Sequence, residues 1–253
     1  MTNPPFYISE EEMMASAAKK SRPPLSACTG APVEMVCQGG ELAFVGRILD
    51  ESLVLRERVQ WYTSMFGKVS SLEPFIQRLR SNGIKNYAVT EFIQGNKTRR
   101  WAIGWSFAAM RPSEDAARGL KAAGWKKILP PAVEVEVWTQ PTEHGVGGLA
   151  NQVDEIVRSL ELMSWDWRGD KLSGSGRVRE NVWSRAWRRR QLQAPKQESK
   201  SVESGSDTSN IFGFCVSLHV GRSDATIKVR WLEGHDETLF ESFCGWLKRR
   251  LKT

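Results

Sequence analysis

From Glu41 the chain carries apolar residues at helical spacing: Leu42, Val45, Ile48, Leu49, Leu53 and Val59, with Arg47, Asp50, Arg56 and Glu57 between them. The pattern predicts an amphipathic helix over 41–59. The run VQWYTSMFGK that follows is largely apolar and closes on Gly67, which predicts a buried strand and a turn. Ser70 or Ser71, with Glu73 and Pro74 close behind, predicts the cap of a second helix. That helix buries Leu72, Phe75, Ile76 and Leu79 and stops at Asn82-Gly83. NYAVTEFIQG and RRWAIGWSF, joined by the basic turn NKT, predict an antiparallel hairpin. Residues 9–40 lack sustained periodicity and predict a long loop.

Residues 108–131 hold Pro112, Gly119, Gly124, Pro130 and Pro131 and predict a linker. A second unit, 132–253, then begins with the alternating strand VEVEVW. LANQVDEIVRSLELM keeps Leu149, Val153, Ile156, Val157 and Leu160 on one helical face. SWDWRG and RENVWSRAWRRR predict strands, the second placing Trp183, Arg185, Trp187 and Arg189 on one face. Residues 193–210 are polar, contain no aromatic residue, and predict a disordered insertion. IFGFCVSLHVG puts Phe212, Phe214, Val216, Leu218 and Val220 on one face, and ATIKVRWLEG answers with Ile227, Val229 and Trp231. Asp236 predicts the cap of a last helix, with Phe240, Phe243, Leu247 and Leu251 inside and Lys248, Arg249 and Arg250 at its end. From residue 149 the order reads α-β-β-β-β-α, a small α+β domain.

Composition narrows the partners. A net charge of +7 and a pI near 9.4 lean toward an anionic one, nucleic acid or an acidic membrane surface, with solubility as the bland alternative. Cys28, Cys37, Cys215 and Cys244 form no CxxC pair and have no histidine at ligand spacing, which argues for reduced structural thiols and against a metal. No apolar run is long enough to span a membrane, and Pro4, Pro5 and Glu10-Glu11-Glu12 stand where a signal peptide needs a basic head and an apolar stretch. A soluble intracellular protein is the expectation.

The candidate chemistry sits at Asn3-Pro4-Pro5-Phe6. The amine of a planar base is a poor nucleophile because its lone pair is delocalised into the ring. The Asn3 amide oxygen and the Pro4 carbonyl can accept its two hydrogens and aim the nitrogen. The prolines stiffen the backbone and bring no competing N–H. Phe6 offers a stacking face for a base pulled out of its helix. Lys19, Lys20 and Arg22 in the loop, and Lys97, Arg99 and Arg100 at the hairpin, are the cations nearest this motif; the cluster at Arg185, Arg188, Arg189 and Arg190 is the densest in the chain.

NPPFY, GGELAFVGRIL, WYTSMFGK and TEFIQGNKTRRWAIGWSF, in that order, resemble the methyltransferase-like protein 16 family of U6 snRNA N6-adenosine methyltransferases, and more distantly the bacterial 23S rRNA adenine methyltransferase F. The resemblance implies that residues 1–107 are the C-terminal half of a Rossmann-like class I methyltransferase domain, an α/β fold, with NPPF just after its fourth strand. It implies a catalytic set of Asn3, Pro4, Pro5 and Phe6, S-adenosylmethionine as cofactor with Asn3 among its contacts, and a structured U6-like hairpin as partner. It also implies that the arginine just before Trp101 faces RNA, with Arg99 and Arg100 both open for that place because QGNKTRRW runs one residue longer than the family spacing. Nuclear localisation follows, with the cytoplasm left open. The α-β-β-β-β-α order is similar to the kinase-associated-1-like domains with which the family binds RNA.

The family holds its cofactor on a glycine-rich turn upstream of NPPF, and no such turn stands in this chain; GVGG at 145–148 lies in the second unit. The expectation is an N-terminally truncated chain, inactive unless the missing half comes from upstream or from a partner chain. A non-enzymatic RNA-binding protein is the first alternative, and a small-molecule amine N-methyltransferase the second.

Overall fold

The computed structural model describes residues 1–18, 31–94, 98–120, 127–193 and 211–252. The chain divides into two units. One comprises Met1–Ala108 with Asp115–Pro130, the other Ala109–Glu114 with Pro131–Thr253. The segment 108–131 expected as a linker is therefore shared out between them.

The first unit opens with α1 (Glu10–Ala18), which occupies part of the expected loop. Ser9 Oγ accepts the Glu12 N–H at 3.3 Å, and Glu10, Glu11 and Glu12 fill the first turn, where the helix dipole favours acids. The single turn α2 (Pro32–Met35) precedes α3 (Gly40–Leu55), which ends in a tight turn at Arg56–Arg58 rather than running to 59. Then come β1 (Tyr62–Phe66), α4 (Val69–Ser81), the hairpin β2 (Tyr87–Gln94) and β3 (Thr98–Trp105), the short α5 (Glu114–Ala117) and β4 (Arg118–Gly119).

The sheet order is β1-β3-β2-β4, with β3 antiparallel to both neighbours and β4 parallel to β2. Phe66, Tyr87, Val89, Trp101, Ile103 and Trp105 pack with Val45 and Leu49 of α3 and Leu72, Phe75, Ile76 and Leu79 of α4 in one buried cluster. Two buried polar groups inside it are linked: Trp105 Nε1 donates to Ser52 Oγ at 3.0 Å, and Ser52 Oγ donates to the Leu49 carbonyl at 2.7 Å. Tyr87 accepts from Arg80 Nη2 at 2.7 Å and donates to the Ile128 carbonyl at 3.0 Å, which fastens residues 127–130 to the same unit.

The second unit runs β5 (Glu134–Pro141), α6 (Val146–Arg158), β6 (Ser164–Arg168), β7 (Ser173–Val178), α7 (Arg185–Gln193), β8 (Phe212–Val220), β9 (Asp224–Glu233) and α8 (Glu237–Leu251). Its sheet is antiparallel throughout, in the order β5-β9-β8-β7-β6. Phe214 and Phe243 meet at its centre, ring centroids 4.2 Å apart. Asp236 caps α8 as expected, its Oδ1 accepting the Thr238 and Leu239 N–H groups at 2.9 and 3.3 Å. Residues 109–114 belong to this unit because Arg111 is bolted into it. Its guanidinium lies 3.8 Å over the Trp231 ring and its Nε donates to the Gly234 carbonyl at 2.9 Å; burial pulls its pKa down to about 10.

Three expectations fail here. The strand lies at SGSGRV, not RENVWSRAWRRR, and the arginine-rich stretch is a turn followed by α7. From residue 149 the order is α-β-β-α-β-β-α, not α-β-β-β-β-α. Ser184 sets the start of α7 by accepting the Trp187 N–H at 3.0 Å. Val220, expected inside, is 48% exposed. The expected insertion at 193–210 lies, from residue 194, outside the described residues, and Gln193 closes α7.

Candidate functional site

The motif Asn3-Pro4-Pro5-Phe6 is rooted by main chain. Thr2 N–H donates to the Thr63 carbonyl at 3.0 Å, and the Thr2 carbonyl accepts the Met65 N–H at 3.2 Å. Thr2 thus pairs in parallel with Ser64 on the free edge of β1, and the motif leaves where β1 ends. Pro4 and Pro5 are buried, Asn3 is exposed, and Phe6 is half-buried. A rigid buried turn therefore presents one amide and one aromatic face to the outside. Beyond it, Tyr7 N–H donates to the Met35 carbonyl at 3.1 Å and the Tyr7 carbonyl accepts the Cys37 N–H at 3.0 Å, so both ends of the motif are tied down.

The wall behind Phe6 is the β1–α4 turn, Gly67-Lys68. A Cβ at Gly67 would stand 2.9 Å from Phe6 Cδ1 and 3.3 Å from Glu41 Oε2, so a larger residue there would push Phe6 out of place. Glu41 is 2% exposed, and its two oxygens accept the Gly67 N–H at 2.6 Å and the Lys68 N–H at 3.0 Å. It supplies a carboxylate from α3 to the N-terminal end of α4, where orphan donors and the helix dipole favour one. This explains why α4 starts at Val69 instead of after Ser70 or Ser71: Lys68 takes the cap position, held from across the unit.

Lys68 also forms an ion pair with Glu12 and lies 5.9 Å over the Tyr7 ring. Glu12 Oε2 accepts the Ile8 N–H at 2.8 Å; that bond, and after it Lys68, holds the Glu12 carboxyl below its ordinary pKa.

The hairpin supplies one more group. Arg100 stands 5.1 Å over the Phe6 ring, while Arg99, one residue earlier and on the opposite face of β3, pairs with Glu91 at 2.8 Å. Of the two arginines, the structure brings Arg100 to the motif. Lys19, Lys20, Arg22 and Lys97 lie outside the described residues. Arg185, Arg188, Arg189 and Arg190 are in the second unit, exposed on α7, with Arg190 paired to Glu180 at 2.8 Å. Sequence reasoning missed Glu41, Lys68 and Glu12 as the frame of the motif. Only Glu12 carried a signal, the Ser9-x-x-Glu12 capping pattern.

For a methyl-donor cofactor the described residues offer Asn3 and no cradle. The Gly67 turn is filled by Phe6 and Glu41, and Gly147 and Gly148 at the start of α6 face open space. The arrangement can hold and orient an acceptor: an exposed amide, a backbone carbonyl from a proline turn, a stacking ring and a cation beside it.

Residues 1–109 match the family model described as RNA methyltransferase. A U6 small nuclear RNA (adenine-(43)-N(6))-methyltransferase of Schizosaccharomyces pombe is 36% identical over 255 residues, covering 100% of this chain and 60% of that protein. The RNA N(6)-adenosine-methyltransferase mettl16 of Danio rerio is 30% identical over 292 residues, covering 99% and 61%. The chain spans about three-fifths of the length of these two relatives. A solved hMettl16 catalytic domain in complex with a MAT2A 3′UTR hairpin shares 39% identity over 47% of this chain and 41% of that one, at a TM-score of 0.41.

Proposed function

We propose that this chain is the acceptor-holding and RNA-binding part of an RNA N6-adenosine methyltransferase of the U6 snRNA type. The reading rests on one observation above the others: Asn3 is exposed at the end of a buried diproline turn whose root is hydrogen-bonded to β1, beside a Phe6 ring with Arg100 over it. In the proposed reaction an adenine flipped from a structured RNA stacks on Phe6. Its N6 hydrogens are accepted by the Asn3 amide oxygen and the Pro4 carbonyl, which fixes the lone pair in the direction of attack. No side chain of special pKa is needed. Arg100 meets the RNA backbone next to the flipped base.

The methyl donor of the family is S-adenosylmethionine, which supplies an electrophilic methyl group when bound. The first unit is, on this reading, the C-terminal half of a Rossmann-like class I domain. The second is an RNA-binding unit, and the work is nuclear, where U6 RNA is.

The test is labelled-methyl transfer from S-adenosylmethionine to a U6 hairpin by the protein isolated from its native source. Asn3→Ala should lower transfer by about a hundredfold or more, as loss of an orienting group does, without weakening RNA binding. Undiminished transfer by that variant would sink the assignment of Asn3.

A second reading, RNA binding without catalysis, is favoured by α7, which carries Arg185, Arg188, Arg189 and Arg190 and no acidic residue. It requires salt-sensitive RNA binding that these arginines carry, with no methyl transfer under any condition.

A further inference from the structure

In the second unit, α7 with the turn before it, the C-terminal half of α8 and residues 159–161 after α6 line an open cavity of about 1000 Å³. Its aromatic side is built from three tryptophans in different states. Trp183 is 4% exposed and donates through Nε1 to Ser242 Oγ at 3.0 Å; it is core. Trp246 is half-buried, with its ring stacked on Phe243 at 5.7 Å and 27°. Trp187 is half-buried as well, with Arg190 at 5.2 Å over its ring, and Arg190 is held in turn by Glu180. The last two rings are braced by neighbours and still reach the cavity.

The rim is cationic. Arg185 and Arg188 of α7 and Arg249 and Arg250 of α8 line it, against a single carboxylate, Glu161. The Ser184 cap fixes the phase of α7, so Trp187 and the flanking arginines enter the cavity from one helical face. Flat, partly open indoles below a rim of arginines match one chemistry well: a heteroaromatic base with phosphates on either side. A paired duplex has no base free to enter, and an acidic peptide has no use for two open indoles.

We propose that this cavity is a slot for an unpaired nucleotide of RNA, its base stacked on Trp187 or Trp246 and its flanking phosphates on Arg185, Arg188 and Arg250. The slot rests on the RNA-binding reading above and sharpens it, because it selects single-stranded or bulged RNA over helix. At about 1000 Å³ the cavity is at the upper limit of ordinary small-ligand pockets and exceeds what one base fills. An entering base therefore brings its sugar and neighbouring phosphates with it.

The test is a tryptophan-fluorescence titration of the full chain with two probes, a short oligouridylate without secondary structure and a blunt-ended RNA duplex. Oligouridylate should quench the fluorescence. Trp187→Leu, which keeps an apolar side chain, should weaken oligouridylate binding by roughly five- to a hundredfold, the loss typical of one stacking ring, while duplex binding changes less than about twofold, within the scatter of such comparisons. Ser159→Trp, which obstructs part of the cavity without removing any ring, should do the same and guards against a folding defect in the first variant. Arg185→Ala with Arg188→Ala should weaken both probes and flatten the salt dependence.

If Trp187→Leu and Ser159→Trp leave oligouridylate binding intact while the arginine pair still matters, the slot is wrong and the RNA-binding reading stands. If neither probe binds, both are wrong. Displacement of oligouridylate by polyglutamate at equal charge concentration would also overturn the slot, in favour of an acidic protein partner.

Discussion

Glu41→Ala is the sharpest perturbation of the proposed acceptor site that touches none of its exposed groups. The carboxylate is 2% exposed and accepts two backbone N–H groups, from Gly67 at 2.6 Å and from Lys68 at 3.0 Å. Hydrogen bonds to a charged partner contribute roughly 1.5–3 kcal/mol each, and a buried donor left unpaired costs the desolvation of that group. Water admitted to the gap recovers part of this, so we expect the turn to lose about 3 kcal/mol. The two units need not unfold together, so a single melting temperature is a poor probe. Amide hydrogen exchange read by segment is a better one. Exchange in residues 1–8 and 62–72 should accelerate by roughly a hundredfold, which is about 3 kcal/mol at 1.4 kcal/mol per decade, while β8 and β9 serve as the unchanged control. Glu41→Gln keeps one acceptor oxygen and should fall between. The reasoning fails if Glu41→Ala leaves exchange in 62–72 within about threefold of the parent, or accelerates both units alike, because local opening is what the bonds are held to prevent.

Three further outcomes are expected. Arg100→Ala should weaken hairpin-RNA binding by about tenfold while Arg99→Ala changes it less than about threefold, since only Arg100 reaches Phe6 and Arg99 is engaged with Glu91; equal losses in a filter-binding assay would contradict the assignment. The Glu12 carboxyl is held below its ordinary value, so its contribution to the α1–Lys68 tether is complete above about 4.5 and is lost as the pH falls through the lower folded value; proteolysis of residues 9–18 should accelerate in that acid window and not between neutrality and mild alkali. Burial pushes the Cys244 thiol up to about 12, so maleimide should leave it unlabelled in the native protein at mildly alkaline pH and label it on unfolding; rapid native labelling would mean that α8 is not packed as described.

The readable parts of the fold were those whose pattern is local. Strands β8 and β9 alternate because one face is core, and Asp236 announces α8 because a cap is a contact within three residues. The basic stretch misled because Trp183 and Trp187, four apart, satisfy a strand's period of two as well as a helix's neighbouring turns. What decided it was Ser184, a weak cap signal, and a glycine-rich strand that local propensity disfavours. Gly174 and Gly176 sit in β7 because rings from elsewhere occupy their Cβ positions, with Trp165 at 2.5 Å and Phe214 at 2.7 Å. Around the proposed site the same division holds. Asn3, Pro4, Pro5 and Phe6 stood out as a contiguous motif, whereas Glu41 resembles any solvated acid in a first helical turn. Its role depends on Gly67, 26 residues away, and no periodicity encodes that.

The anchoring of Thr2 has a practical side. It grips β1 through its amide and carbonyl only, so the position of the following turn does not depend on which side chains occupy positions 3 and 6. The motif is a tip on a fixed mount: exposed Asn3 can be exchanged without disturbing that mount, whereas Phe6 packs against Gly67 and is less free to change. Gly67 is more constrained still: a Cβ there would displace Phe6, so attempts to retune the tip should leave that position alone.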